Sequence, residues 1–264
     1  MNPRASIIVP LLRQEDTWLR QSVESALGQR VPCEVIVAAE RNTPASNLET
    51  LAGLAAQWGN LRVLMHEPPA SFPGSINLGW RAAATERIGL LLSDDWLEPD
   101  TVAECLALDA DIVCTGHTVH WDDGATGKGR DRTLTLSQFQ RLPTLERRAN
   151  YLEHFFLFGR AALARAGGLD ESIGDYPGID DYDLIWTLLE QGASVGIVEK
   201  PLYHYRDHDG CRLTLADPAQ ASRNLARILT KHGVCEPELS RLVAEHSRWY
   251  GKPIHRVRAE TGRA

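Results

Sequence analysis

The chain is poor in cysteine and has none in pairs. Its five cysteines (Cys33, Cys105, Cys114, Cys211 and Cys235) are scattered and never form a C-x-x-C. Disulfide frameworks and zinc ribbons need closer, paired spacing, so both are disfavoured. Cys33, Cys105 and Cys114 adjoin apolar runs and read as buried thiols, which points to a reducing compartment. No apolar run approaches the roughly 18 residues needed to span a bilayer. Residues 1–6 lead directly into the strand-like Ile7-Ile8-Val9 with no signal-peptide pattern, and a cytoplasmic location is expected. Excess positive charge is also missing. With 28 Lys and Arg against 35 Asp and Glu, the net charge of −7 argues against nucleic acid as a partner. Internal repeats and low-complexity segments are absent as well.

What is present is a globular composition. The 264 residues are 43% apolar and 24% charged, enough for one large domain with a core. Short apolar runs at 6–9, 34–38, 61–66 and 88–92 read as strands. Between them lie stretches of helical period. The first starts at an N-cap at Asp16 or Thr17 and ends at Gly28. The second carries Leu48, Leu51, Leu54 and Trp58, and Ser75 is expected to cap the third. Four strand–helix alternations with continuous apolar strands predict an α/β fold, a mostly parallel, Rossmann-like sheet flanked by helices. In such sheets ligands bind beyond the carboxyl ends of the strands. After a strand-like run at 111–115 the pattern weakens. Residues 122–132 form a Gly-rich, charged loop, 181–190 a helix, 194–198 a strand, and 218–232 and 237–250 two C-terminal helices.

Three groups of residues carry candidate chemistry. Ser93-Asp94-Asp95 follows the strand at 88–92, and paired carboxylates there suit Mg²⁺ or Mn²⁺ together with phosphate oxygens. Asp180-Asp181-Tyr182-Asp183 opens a helix, where a carboxylate can take a proton from a hydroxyl. Tyr203-His204-Tyr205-Arg206-Asp207-His208 offers imidazole for a metal and a guanidinium for phosphate. Taken singly, each has a plainer reading as a turn, a helix cap or a satisfied surface group.

Taken together and in order, these groups resemble the family 2 glycosyltransferases, whose catalytic domain has the GT-A fold. The likeness runs through Ser6-Ile7-Ile8-Val9-Pro10, the helix 19–29 and Asn77-Leu78-Gly79, then Ser93-Asp94-Asp95. It continues through Gly167-Gly168-Leu169-Asp170, Asp180-Asp181-Tyr182-Asp183 and Tyr205-Arg206-x-His208, and covers residues 5–212. The resemblance implies a GT-A domain over 1–215, with a nucleotide-sugar half at 1–115 and an acceptor half at 116–215. A helical extension at 216–264 follows.

The resemblance also implies roles. Asp95 and His208 would hold Mn²⁺ or Mg²⁺, with Asp94 nearby on ribose or metal, and Asp181 would be the base of an inverting transfer. Pro10, Leu11, Arg13, Glu40, Asn77 and Arg206 would face the donor, with a UDP-sugar the first expectation. Trp121 and Asp180 would face the acceptor, a glycan or lipid-linked hydroxyl in cell-surface polysaccharide assembly. The basic Arg248, Lys252, Arg256 and Arg258 suggest peripheral contact with an anionic membrane, although a solvated helix end is the plainer reading. Two departures stand out. Ala39-Glu40-Arg41-Asn42 replaces the family's acidic base-binding segment, and Ile76 stands where an arginine is usual. They leave open an alternative, a degenerate GT-A domain used for binding or assembly.

Overall fold

The computed structural model describes residues 2–67, 71–121, 131–173, 179–208 and 217–251. In chain order the first elements are β1 (Ala5–Leu11), α1 (Asp16–Leu27), β2 (Cys33–Glu40), α2 (Ala45–Gln57), β3 (Leu61–His66), α3 (Phe72–Ala82) and β4 (Arg87–Leu90). Next come β5 (Trp96–Leu97), α4 (Thr101–Leu106), β6 (Ile112–Trp121), β7 (Asp131–Arg132), α5 (Leu136–Arg141), α6 (Leu145–Tyr151) and β8 (Phe156–Gly159). The chain continues through α7 (Arg160–Ala166), α8 (Asp180–Glu190), β9 (Val195–Asp207), α9 (Pro218–Lys231) and α10 (Glu238–Ser247).

The sheet runs β3-β2-β1-β4-β8-β6-β9-β5, with β7 paired to β6. Its first four strands are parallel, as the alternating pattern predicts. Beyond β4 the sheet is mixed: β8 is antiparallel to both β4 and β6, β6 and β9 are parallel, and β5 is antiparallel to β9. Both faces are covered. Ile7 and Val9 point into one apolar cluster and Ile8 into the other, the two-residue period of a strand buried on both sides. Leu225, Ile228 and Leu229 of α9 and Leu242 of α10 join the same cluster as Ile8, so the C-terminal helices share the main core.

The structure departs from the sequence reading at several element boundaries, beginning with α1, where Glu15 rather than Asp16 or Thr17 takes the N-cap position. Ser71, not Ser75, caps α3, its hydroxyl accepting from Gly74 N at 3.1 Å. Pro73 sits in the first turn, where its missing N–H has no helical partner to lose. The strand expected at 194–198 extends through Asp207, because pairing with the long β6 carries it past Pro201 across a register shift. The Tyr203–His208 group is thereby built into the sheet.

Candidate functional site

A cleft of about 590 Å³ opens beyond the carboxyl ends of β1 and β4. Its floor begins at Pro10 and continues through Leu12, Arg13 and Gln14. This segment is pinned from α2. Asn47 Oδ1 accepts from Gln14 N at 2.9 Å, and Asn47 Nδ2 donates to Gln14 O at 2.8 Å. Arg13 is exposed and faces the cleft, whereas Leu11 is buried in the apolar cluster around Val9.

The two adjacent aspartates part company. Asp94 lines the cleft. Asp95 is buried and turns inward: its Oδ2 accepts from the Tyr203 hydroxyl at 2.5 Å and its Oδ1 from Arg206 N at 2.7 Å. Burial, with the Asp95 charge beside it, holds the Tyr203 hydroxyl well above its usual pKa, so it stays a donor. His208 is buried against the Trp18 ring, and its Nε2 lies 3.1 Å from Asp94 Oδ2. Sequence reading put the metal on Asp95 and His208. In the structure the carboxylate beside His208 is that of Asp94, because consecutive residues of so short a turn project to opposite sides.

Arg206 lies on the face of β9 opposite Tyr203 and Tyr205, which line the cleft. Its guanidinium sits 4.7 Å from the Trp18 ring centroid and 4.9 Å from that of Trp96. Nε donates to Asp94 O at 3.0 Å and one terminal nitrogen to Gln21 Oε1 at 2.7 Å. It therefore holds the aspartate turn rather than facing the cleft.

Asn77 is also structural. Its Nδ2 donates to Leu169 O at 2.9 Å and Glu171 Oε1 at 2.8 Å. Its Oδ1 accepts from Trp80 Nε1 and Leu169 N, both at 2.9 Å. Gly168 has φ +84°, and a Cβ there would collide with Asn77 Oδ1. The Asn77-Leu78-Gly79 and Gly167-Gly168-Leu169-Asp170 motifs are thus two halves of one latch. Glu40 ends β2 half-buried and is not among the cleft-lining residues. Arg41 pairs with Glu67 at 2.6 Å outside the cleft.

On the far wall, Asp181 in the first turn of α8 lines the cleft. Its Oδ1 accepts from Tyr182 N at 2.7 Å, and its Oδ2 lies 3.1 Å from His154 Nε2. Asp180 is buried away from the cleft, and Trp121 ends β6 outside it. His117, earlier on the same strand, does line the cleft and pairs with Glu153 at 3.0 Å. Residues 122–130 of the expected loop lie outside the described residues.

Sequence reading missed His154, Trp249 and Tyr250, and read Arg248 as part of a basic tail; all four line the cleft. His154 sits in an irregular connector with no period to flag it. Burial, then the nearby Asp181 charge, pushes the Tyr250 hydroxyl above its usual pKa. Among the described residues, no group of three or more His, Cys, Asp or Glu side chains is gathered to hold a metal. The Asp94–His208 pair offers one carboxylate and one imidazole. No helix among the described residues is long and apolar enough to cross a membrane.

Comparison with known proteins agrees with this architecture. RfbC, an O-antigen biosynthesis protein of Myxococcus xanthus, is 27% identical over 78% of this chain but only 16% of its own length. The curated relatives that match are spanned over 16% to 61% of their lengths. Among solved structures, S. aureus TarS in complex with UDP-GlcNAc superposes with a TM-score of 0.65 at 17% identity, over 92% of this chain and 71% of that one. The Pyrobaculum calidifontis mannosyltransferase PcManGT, in complex with GDP-Man and Mn²⁺, gives 0.63 at 16% identity, over 94% and 70%. The shared fold is that of GT-A glycosyltransferases. The family model described as "Glycosyltransferase like family 2" matches residues 3–252, and the chain belongs to that family.

Proposed function

We propose that the chain transfers a sugar from a nucleoside diphosphate donor to a hydroxyl acceptor, with a divalent metal and with inversion. The observation that carries this reading is that Asp94, backed by the buried His208, and the Asp181 carboxylate line one cleft at the carboxyl ends of the parallel strands. Two structures of the same fold hold UDP-GlcNAc in one case and GDP-Man with Mn²⁺ in the other, which supports a nucleotide-sugar donor. A UDP-sugar remains the first choice. The O-antigen relative supports a setting in cell-surface glycan assembly.

The donor set of Asp94 and His208, one hard oxygen and one imidazole nitrogen, fits Mn²⁺ or Mg²⁺ with phosphate oxygens and water completing the shell. A bound ion would offset the charge that develops on the leaving diphosphate. Arg13, exposed in the cleft, adds positive charge on the donor side. Asp181 takes the proton of the acceptor hydroxyl as its oxygen bonds to the anomeric carbon. The bond from that carbon to the diphosphate oxygen breaks, and its electron pair leaves with the nucleotide. A base on the face opposite the leaving group gives inversion. Trp249 and Tyr250 extend the Asp181 wall, and we assign the C-terminal turn to the acceptor side together with residues 116–215.

Calorimetric titration with UDP, GDP and dTDP, with and without Mn²⁺, tests the donor half of the proposal. One nucleotide should bind in a metal-dependent way, and Asp94→Ala should abolish the metal dependence. A folded protein that binds none of the three would favour the alternative of a degenerate binding domain.

A further inference from the structure

Asp181 is held by the protein at both oxygens. Tyr182 N donates to Oδ1 at 2.7 Å, and His154 Nε2 lies 3.1 Å from Oδ2. A carboxylate can only accept, so Nε2 carries the hydrogen. The other ring nitrogen, Nδ1, is buried and has no hydrogen-bond partner among the described residues. A proton there would leave a buried N–H without an acceptor, which is costly. A bare Nδ1 costs less. The geometry therefore places the ring hydrogen on Nε2, facing Asp181.

Packing fixes the ring from two sides. It stacks on Tyr203 at 5.6 Å and 24°, and meets Phe156 edge-on at 4.9 Å and 60°. Tyr203 is in turn anchored by its hydroxyl on Asp95. The residues that brace His154 thus belong to β8 and β9, while Asp181 belongs to α8.

We propose that His154 is the positioning residue of the base: a neutral imidazole whose Nε2–H aims the Asp181 carboxylate into the cleft. This rests on the reading of Asp181 as base. Neutrality matters to the role. An imidazolium at 3.1 Å would favour the ionised carboxylate and weaken it as a proton acceptor, whereas a neutral donor orients it at smaller cost. When the acceptor proton arrives on Asp181, His154 keeps its own hydrogen, so it orients the base and does not relay protons.

Two measurements test this. The first is the imidazole ¹⁵N spectrum of the full chain, with the His154 signals assigned from their loss in His154→Gln. At neutral pH it should show a protonated Nε2 and a bare Nδ1, and the Nε2 signal should move in Asp181→Asn. An imidazolium, an Nδ1–H tautomer, or no response to Asp181→Asn overturns the proposal. The second is nucleotide release from UDP-GlcNAc and GDP-mannose with Mn²⁺ and water as acceptor. His154→Ala should lower kcat about 10- to 100-fold and shift its pH profile, with donor KM unchanged, since misplacing a reacting group costs rate rather than binding. His154→Gln, which keeps an N–H at similar reach, should recover most of the loss. If Asp181→Asn turns over like the wild type, the base reading fails. If Asp181→Asn is inactive while His154→Ala keeps the wild-type rate and pH profile, the positioning role alone falls.

Discussion

The Nε2 of His208 and the Oδ2 of Asp94 lie 3.1 Å apart although 114 positions separate them in the chain. One arrives on the turn after β4 and the other at the end of β9, and Arg206 ties the two segments together. The neighbouring Asp95 has a different task, since its carboxylate satisfies a buried hydroxyl and a backbone N–H. The two aspartates should therefore fail in different ways. Asp94→Ala should stay near the wild-type melting temperature, His208→Ala should lose some packing against Trp18, and both should weaken metal-supported nucleotide binding by about 10- to 100-fold. Asp95→Ala should unfold earlier, losing about 2–5 kcal/mol as two buried donors go unpaired. Calorimetry and thermal denaturation separate the cases. An Asp95→Ala protein that melts normally but no longer binds metal would return the ligand role to Asp95.

Asn77 sits within a conspicuous motif yet spends its amide on Trp80, Leu169 and Glu171. Asn77→Leu preserves volume and removes all four bonds. It should cost about 2–4 kcal/mol by denaturant unfolding, because the partners left behind are largely buried. Nucleotide affinity of the folded protein should stay at the wild-type value. A stable Asn77→Leu protein with weakened nucleotide binding would show that the amide faces the donor after all.

These contrasts show where sequence is informative. The four parallel strands were legible because short apolar runs alternate with amphipathic stretches, a local signal. Asp94 and Asp181 were legible as chemistry because they flank elements whose boundaries the pattern marks, whereas His208 was legible only by residue type, since the strand that leads to it was expected to stop at 198. Which aspartate of a pair faces the cleft was not legible, since it depends on the turn and on Tyr203, more than 100 residues away. Arg206 read as a phosphate ligand because charge is visible in sequence, while the two indoles that enclose it come from α1 and β5. His154 gave no periodic signal, being placed by a connector, and Trp249 lay inside the helix read at 237–250, which in the structure ends at Ser247.

His232 makes a prediction about pH. Its two ring nitrogens lie 3.0 Å from Asp183 Oδ1 and 2.9 Å from Glu190 Oε1, and the ring stacks on Trp186. Burial pulls its pKa down, but the hydrogen bonds and charges of the two carboxylates outweigh this and hold it above the usual 6.5. A raised folded-state pKa adds stability that is complete below 6.5 and is lost as pH rises through the folded value. The melting temperature of the wild type relative to His232→Gln should therefore be highest at mildly acid pH and should decline as pH is raised. A difference independent of pH would show that the imidazole is neutral in this cluster.

The C-terminal turn provides the last test, because it separates donor from acceptor. Trp249 and Tyr250 line the cleft on the Asp181 wall, and the Tyr250 hydroxyl stays protonated beside the Asp181 charge. An indole face suits a sugar ring, whose axial C–H bonds pack on aromatic carbon while its hydroxyls stay wet. The turn is carried by α10, whose Leu242 is anchored in the main core, so the platform is fixed relative to the base. Trp249→Ala should therefore leave metal-dependent nucleotide binding and slow donor hydrolysis intact. Transfer to 4-nitrophenyl glycosides should fall about tenfold, mainly through acceptor KM, in line with roughly 1–2 kcal/mol for one aromatic contact. Tyr250→Phe should do less to KM, since it keeps the ring. Equal losses in hydrolysis and transfer would instead mean that Trp249 supports the donor site or the fold, and the acceptor would then have to be sought along His117 and β6.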